Sequence, residues 1–259
     1  LPIGVASSVV QRFTTALTDH PVRRAHIVRG AVVGGSGAVN GGYFCRALPA
    51  DIEGWDLDGW RWTDVLPHFQ AIENDLDFPG EPHGSSGPIT VRRVADFDGC
   101  TASFVASCRD AGYPWLDDLN GATPQRPLSA GIGAVPLNIE RGTRVGPGGA
   151  FLGPALRRRN VSLRSDTRAH RILLRRGRAV AVECQGPSGA LTLTADRIVI
   201  CAGAIGSAHL LMLSGIGPQD VLRATGIDVA ADLPVGVDTV DHPEWVLPVS
   251  WEPTHGVPP

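Results

Sequence analysis

Apolar residues in the first half of the chain are spaced as they are in helices. Between residues 65 and 72 they recur three or four positions apart, which predicts an amphipathic helix that begins near Asp64. Pro67 is expected in the first turn of this helix, where a proline costs little. A second helix is predicted over Thr101–Asp110 and is ended by Gly112. Two short strands are also predicted, over Ala25–Val28 and Pro88–Arg93.

Beyond Asn160 the pattern changes to short runs rich in Val, Ile, Leu and Thr. Turn residues such as Gly186-Pro-Ser-Gly189 separate these runs, which together predict a β-meander. The meander is expected to lead into one buried strand, Arg197–Cys201. The chain then switches from strand to helix, predicted over Ala204–Leu213, and Gly215 is expected to end that helix.

Composition describes an ordinary globular protein and removes several functional classes. The 259 residues correspond to one large domain or two small ones, with 43% hydrophobic and 19% charged residues. A net charge of -3 argues against a general nucleic-acid binder. No run of about 18 apolar residues occurs, so no integral membrane segment is predicted. Every one of the 23 Lys-plus-Arg positions is arginine, which excludes chemistry that needs a lysine.

Cysteine usage favours a reducing, cytoplasmic setting. The chain has five cysteines, an odd number, and none of them are in CxxC spacing. A zinc site or a disulfide scaffold is therefore not expected. The five are Cys45, Cys100, Cys108, Cys184 and Cys201.

A glycine-rich stretch, GGSGAVNGG, spans Gly34–Gly42. Glycines let a backbone approach an anionic group closely and point N–H groups at it. The stretch is not a Walker A sequence, because the lysine is absent, and its glycine spacing does not fit GxGxxG. Taken alone, it is equally well interpreted as a tight structural loop.

A second candidate, Asp196–Pro218, is predicted to form a hydrophobic strand, a turn of small residues and a helix. The turn contains Ala202 and Gly203. In α/β folds a connection of this kind places a ligand beside the carboxyl end of the strand and the N-terminus of the helix. The alternative is an ordinary β–α connection whose small residues serve close packing.

Together the two stretches resemble the glucose–methanol–choline (GMC) family of flavoprotein oxidoreductases. Further segments whose sequences are similar to the family's include HGSSGPITV and DDLNGATP, and the resemblance extends from Ala25 to about Trp251. The first family signature corresponds to Arg29-Gly30, Gly34-Gly35-Ser36 and Asn40-Gly41, and the second to Gly203-Ala204-Ile205, Ser207 and Leu210–Pro218.

The resemblance implies an α/β, FAD/NAD(P)-binding Rossmann-like flavoprotein fold with a second, α+β substrate domain. The FAD-binding domain would be discontinuous, built from residues 1–86 and 160–242, and the partial substrate-binding domain from residues 87–159 and 243–259. The family's N-terminal GxGxxG unit does not precede Arg29. We therefore expect the fold to be incomplete at both ends.

The resemblance also implies FAD as the cofactor. Some family members link FAD covalently through a histidine just before the signature asparagine, but that position is Val39 here, so the FAD is expected to be non-covalent. His170 occupies the position whose backbone contacts adenine. The complete set of expected cofactor-binding residues is Gly34, Gly35, Ser36, Asn40, Gly41, His170, Ala202 and Gly203.

The family oxidises CH–OH groups by hydride transfer to flavin N5, and the resemblance places its active-site histidine beyond Pro259. No catalytic residue is therefore expected in this chain, and His242 is interpreted as positional. Six further histidines are expected to be exposed or to be satisfied structural residues. These are His20, His26, His68, His83, His209 and His255.

Several alternatives stay open at this stage. The segment GAVNGGYFCR is similar to the GMC dehydrogenase associated with mycofactocin, which implies a reduced redox cofactor instead of a simple alcohol as the donor. The electron acceptor is open. A competing interpretation is a truncated, catalytically inactive flavoprotein fragment. A third is an anion-binding module that uses arginine runs such as 157–159, although such runs usually form a solvated face.

Overall fold

The chain is built from short, locally paired strands and helices of modest length. The computed structural model describes residues 2–18 and 20–241. The strands are β1 Val10–Thr18, β2 Arg23–Gly30, β3 Glu73–Asp75, β4 Ile89–Val91, β5 Ile139–Glu140, β6 Thr143–Arg144, β7 Arg168–Arg175, β8 Arg178–Gly186, β9 Gly189–Thr194, β10 Ile216–Gly217 and β11 Ala231–Asp232. The helices are α1 Pro49–Glu53, α2 Trp62–Ile72, α3 Gly99–Asp110, α4 Gly153–Ala155, α5 Gly203–Leu213 and α6 Gln219–Ala224.

A long hairpin leads into the glycine-rich stretch. β1 pairs antiparallel with β2, and Val10 lies opposite Gly30. The predicted strand at Ala25–Val28 is confirmed as part of β2. Apolar and polar residues do not alternate regularly in VQRFTTALT, the sequence of β1, so periodicity gave no sign of this strand, and its pairing with β2 defines it.

Helix α2 carries the first half of the chain into a parallel strand pair. It begins at Trp62, two residues before the predicted start, because Asp64 accepts a hydrogen bond from the Arg61 N–H (3.1 Å) and caps the helix. The expectation that Pro67 lies in the first turn is wrong, since Pro67 lies inside the helix. β3 follows α2 directly and pairs in parallel with β4, whose Val91 is fully buried.

The predicted meander is confirmed as the antiparallel sheet β7–β8–β9. The central strand β8 buries Ala181 and Cys184. The predicted helix after it is confirmed as α5, and Gly215 follows its end with φ of 82°. The expectation of a buried strand at Arg197–Cys201 is wrong. Within the described residues no strand pairs with this segment, and Val199 is 76% exposed.

The chain divides into two compact units between Ser162 and Leu163. The first unit contains β1–β6 and α1–α4, and the second contains β7–β11, α5 and α6. The predicted FAD-binding segment ends at residue 86, but the parallel pair β3–β4 joins residues on both sides of that boundary. The assignment of an FAD-binding and a substrate-binding domain stays a prediction, and residues 243–259 of the latter, like His242, lie outside the described residues. No helix among the described residues is long and apolar enough to cross a membrane.

Replacing Ser214 by alanine tests how α5 is fixed to the meander. The buried Ser214 hydroxyl accepts a hydrogen bond from the Ile172 N–H of β7 (2.8 Å) and donates one to the Leu210 carbonyl (2.6 Å). The variant leaves a buried N–H without a partner, so we expect the free energy of unfolding to fall by about 1–3 kcal/mol in urea titrations. Ser165→Ala, at an exposed position, is the control and should have no effect. Equal stability of the two variants would contradict this account.

Candidate functional site

The glycine-rich stretch folds back on the end of β2. Residues Gly35–Ala38 form a single 3-10 turn, and the Ser36 hydroxyl accepts a hydrogen bond from the Gly30 N–H (3.1 Å). Gly35 has φ of 56° and no atom within 4 Å of the place where a Cβ would lie. Ser36 therefore closes the loop, whereas Gly35 leaves open space beside a backbone conformation that favours glycine.

Other glycines of the stretch serve close packing within the first unit. A Cβ on Gly34 would lie 3.1 Å from the Gly148 nitrogen, and one on Gly37 would lie 2.8 Å from Cδ of Pro147. A cavity of about 280 Å³ lies beside this contact. The structural-loop interpretation thus holds for Gly34 and Gly37, while Gly35 is free of packing. The cavity is lined by Val33, Ala38, Thr143, Arg144, Gly146, Gly148 and Gly149.

The end of the stretch is held by polar groups. The exposed Asn40 accepts a hydrogen bond from the Gly42 N–H through Oδ1 (3.0 Å). The guanidinium of Arg144 donates to the Ala38 carbonyl (2.9 Å) and to the Asn40 carbonyl. The Gly41 N–H has no hydrogen-bond partner among the described residues. This segment therefore has a fixed backbone, and the Gly41 N–H is a donor available to a ligand.

The remaining predicted residues lie in the second unit. Ala202 precedes α5, and Gly203 opens it with φ of 78° and open space around its Cβ position. No side chain caps this helix start, so its first N–H groups are available to an anion. His170 is exposed on β7 at a bulge, between the pairs Ala169–Cys184 and Arg171–Glu183, which leaves its backbone outside the regular ladder.

The first unit also contains a buried ionic cluster that the sequence analysis did not predict. β3 supplies Glu73 and Asp75, whose side chains are fully buried. His83 lies between the carboxylates: its Nδ1 contacts Glu73 (3.2 Å) and Asp75 (3.1 Å), and its Nε2 contacts Asp118 (2.8 Å). The ionic cluster consists of Arg46, Glu73, Asp75, His83, Arg93 and Asp118.

Electrostatics in the cluster favour mutual neutralisation. Despite desolvation, hydrogen bonds to Asp118, Asp75 and Glu73 raise the pKa of His83 to about 10. Hydrogen bonds from His83 lower the pKa values of Asp75 and Asp118, against the desolvation that burial imposes. Glu73, Asp75 and Asp118 therefore face three cations, because Arg46 and Arg93 complete the set, while the more exposed Asp77 lies 3.7 Å from Arg93 at the edge of the cluster.

A metal ion is not needed at this position. Glu73, Asp75 and His83 lie close enough to ligate one. Both ring nitrogens of His83 already face carboxylates, however, and a metal-binding histidine must offer an unprotonated nitrogen. The donor set thus fits a charge-balanced structural network, and the expectation that His83 is a satisfied structural histidine is confirmed for this residue.

The cluster is connected to the glycine-rich stretch through the backbone that follows it. Asn120, which is buried, donates to the Phe44 carbonyl (2.9 Å) and accepts from the Arg46 N–H (2.9 Å). The Phe44 N–H in turn bonds the Pro136 carbonyl (2.9 Å). Nothing in the sequence marks Glu73–Asp75 as a buried strand, so no sequence signal predicted the cluster.

Replacing His83 by glutamine tests the cluster. The buried Glu73 and Asp75 and the partly exposed Asp118 would then face only two cations, so we expect the free energy of unfolding to fall by about 3–5 kcal/mol near pH 6. The pKa of His83 in the folded state lies above its ordinary value of 6.5. Its contribution is therefore complete below about pH 6.5 and is lost as the pH rises towards 10.

Urea unfolding at several pH values measures this difference between wild type and variant. The difference should narrow as the pH rises through that interval. His68→Gln, at an exposed position on α2, is the matched control and should unfold like the wild type. A stability difference that does not depend on pH would contradict the assignment of His83 as a buried imidazolium.

Replacing Gly37 by alanine tests the packing of the glycine-rich stretch. The new methyl group would overlap the Pro147 ring, so we expect a loss of about 1–3 kcal/mol in the free energy of unfolding. Gly149→Ala is the control, because nothing lies within 4 Å of its Cβ position. Thermal melting of both variants measures the effect, and a neutral Gly37→Ala would show that this close approach is not required.

Comparisons with known proteins identify the family of the chain. The GMC oxidoreductase family matches residues 5–244. An uncharacterised GMC-type oxidoreductase of Rhodococcus erythropolis is 40% identical over 251 residues, which cover 96% of this chain and 49% of that protein. An oxygen-dependent choline dehydrogenase of Vibrio vulnificus is 34% identical over 238 residues, covering 89% of this chain and 42% of the relative. The chain thus spans about half the length of the curated relatives it matches.

Solved structures show the same relationship. Pyridoxine 4-oxidase from Mesorbium loti superposes with a TM-score of 0.79 and 33% identity, covering 88% of this chain and 45% of that one. A formate oxidase structure, at 22% identity and a TM-score of 0.76, supports the fold alone. The expected α/β flavoprotein fold is confirmed. The chain belongs to the GMC oxidoreductase family of FAD-binding flavoenzymes.

Proposed function

We propose that the protein containing this chain is an FAD-dependent oxidoreductase that acts on CH–OH groups of small-molecule donors. The observation that carries the proposal is a pair of backbone features within a GMC family chain. One is the fixed Gly34–Gly42 loop, which has open space at Gly35 and a Gly41 N–H with no partner among the described residues, and the other is the uncapped start of α5 at Gly203. Both offer backbone N–H groups to an anionic or acceptor-rich ligand.

Each predicted contact residue has a chemical role in this proposal. Gly35, Asn40 and Gly41 would hold the cofactor from the first unit, while Ser36 keeps their loop closed. Ala202 and Gly203 would meet it at the start of α5, and the bulge at His170 frees backbone atoms for the adenine. These assignments rest on the family resemblance and on the local geometry of each unit.

The cofactor is proposed to be non-covalent. The position at which a linking histidine would stand is Val39, which is buried and apolar. FAD supplies the acceptor of the hydride, and the residues of this chain bind and orient it. We assign the proton acceptor to none of the 259 residues. The five cysteines are free thiols, which supports the cytoplasm as the proposed location.

Two donor classes follow from the relatives and the sequence. The relatives named choline dehydrogenase and pyridoxine 4-oxidase favour a small-molecule alcohol. The similarity of GAVNGGYFCR to the mycofactocin-associated dehydrogenase favours a reduced redox cofactor whose electrons pass to a separate acceptor. The competing proposal is a catalytically inactive flavoprotein fragment, which would bind FAD or nothing and would oxidise neither class.

Expression of the full reading frame separates these proposals. We expect a yellow protein with flavin absorption bands, and acid precipitation should release all of the flavin into the supernatant because no covalent link holds it. Choline, pyridoxine and reduced mycofactocin, each added without oxygen or any other electron acceptor, then test the donor class by the bleaching of the flavin bands. A folded protein without flavin would overturn the proposed function, and bound flavin that no donor reduces would favour the inactive fragment.

A further inference from the structure

Arg144 occupies an unusual place beside the glycine-rich stretch. It ends β6, far along the chain from Asn40, and yet its two terminal nitrogens donate to the carbonyls of Ala38 and Asn40. Its Nε is buried and has no partner among the described residues. The half-buried guanidinium has no carboxylate partner among the described residues and instead donates to two backbone carbonyls, which indicates a function other than ion pairing.

The bond to Asn40 determines the direction of the next N–H. In a trans peptide the carbonyl and the N–H point in opposite directions. The Asn40 carbonyl points at Arg144, so the Gly41 N–H points away from it. This N–H has no partner among the described residues. A cation on the carbonyl side also polarises the peptide and strengthens the N–H as a donor.

The peptide after Gly41 is fixed as well. Asn40 Oδ1 accepts from the Gly42 N–H (3.0 Å), and the Asn138 N–H donates to the Gly42 carbonyl (2.9 Å). Asn138 is buried and also donates from Nδ2 to the Val145 carbonyl (3.0 Å), next to Arg144. The β5–β6 hairpin thus holds the backbone on both sides of Gly41 and leaves its N–H as the donor.

We propose that Arg144 is a positioning residue, which holds the Ala38 and Asn40 carbonyls so that the Gly41 N–H is aimed at an acceptor atom of FAD. This inference rests on the proposed function, because it takes FAD as the ligand of the loop. Arg144 itself is not assigned a contact with the cofactor. A lysine could replace only part of its action, since one ammonium lacks the planar fork that reaches two carbonyls at once.

The test uses the full-length protein, its FAD removed and titrated back. For R144M we expect the dissociation constant for FAD to rise by roughly tenfold or more, which corresponds to the loss of a charge-assisted arrangement. At saturating FAD the visible circular dichroism of the bound flavin should also change, and R144K should restore part of both properties. R141M is the matched control, because Arg141 is exposed in the same hairpin and should leave both unchanged.

The outcomes separate the inference from the proposed function. If the wild type binds no FAD, the proposed function fails. If the wild type binds FAD and R144M matches it in affinity and flavin dichroism, Arg144 does not position the loop. A variant that only melts at a lower temperature, with wild-type dichroism at saturating FAD, would show a merely structural role and overturn the inference. Should R144M fail to fold, R144K carries the same readouts, with an expected rise of roughly threefold in the dissociation constant.

Discussion

Charge neutralisation inside a low-dielectric environment is the constraint on which the first unit depends. Six ionisable side chains from five separate segments meet there, and each carboxylate that leaves water needs a cation within hydrogen-bond distance. A complete network of this kind adds little net stability over an apolar core, but an incomplete one is strongly destabilising. The cluster therefore demands that its segments come together in a single arrangement, which short strands and loops alone would not enforce.

The ionic cluster also helps to fix the candidate cofactor loop, Gly34–Gly42. Arg46 belongs to the cluster, and Asn120 fixes the backbone from Phe44 to Arg46, just beyond the glycine-rich stretch. On the other side of the loop, Arg144 and Pro147 hold it through carbonyls and close packing. Polar side chains thus fix the position of this loop, a task that helix packing performs in many folds. They hold a loop whose own residues are too small to anchor it.

Local patterns predicted the elements that depend on local forces. The spacing of apolar residues predicted α2, the switch from strand to helix ended by Gly215 predicted α5, and turn residues predicted the β7–β8–β9 meander. The wrong expectation of a buried strand depended on partners outside the local sequence. A run such as Arg197–Cys201 looks like a buried strand, but a strand requires a neighbour to pair with, and none is present among the described residues. The strand β1 is the converse case, since its apolar and polar residues do not alternate regularly and yet it pairs with β2.

The candidate site divides in the same way. Glycine signatures could be read directly from the sequence, because a positive φ or a close approach restricts the residue type at one position. The ionic cluster could not, because spacing does not report that His83 meets Asp118 or that Arg46 meets Glu73. All 23 Lys-plus-Arg positions are arginine, and the spacing of residues does not report that Arg144 is the one that donates to the Ala38 carbonyl.

Amide hydrogen exchange of the full-length protein, recorded with and without FAD, tests the central claim most directly. If the glycine-rich stretch and the start of α5 both contact the cofactor, peptides that contain Gly41 and Gly203 will exchange more slowly when FAD is bound. The meander strands β8 and β9 will exchange at unchanged rates. Protection that is confined to other segments, with both glycine peptides unaffected, would contradict the account.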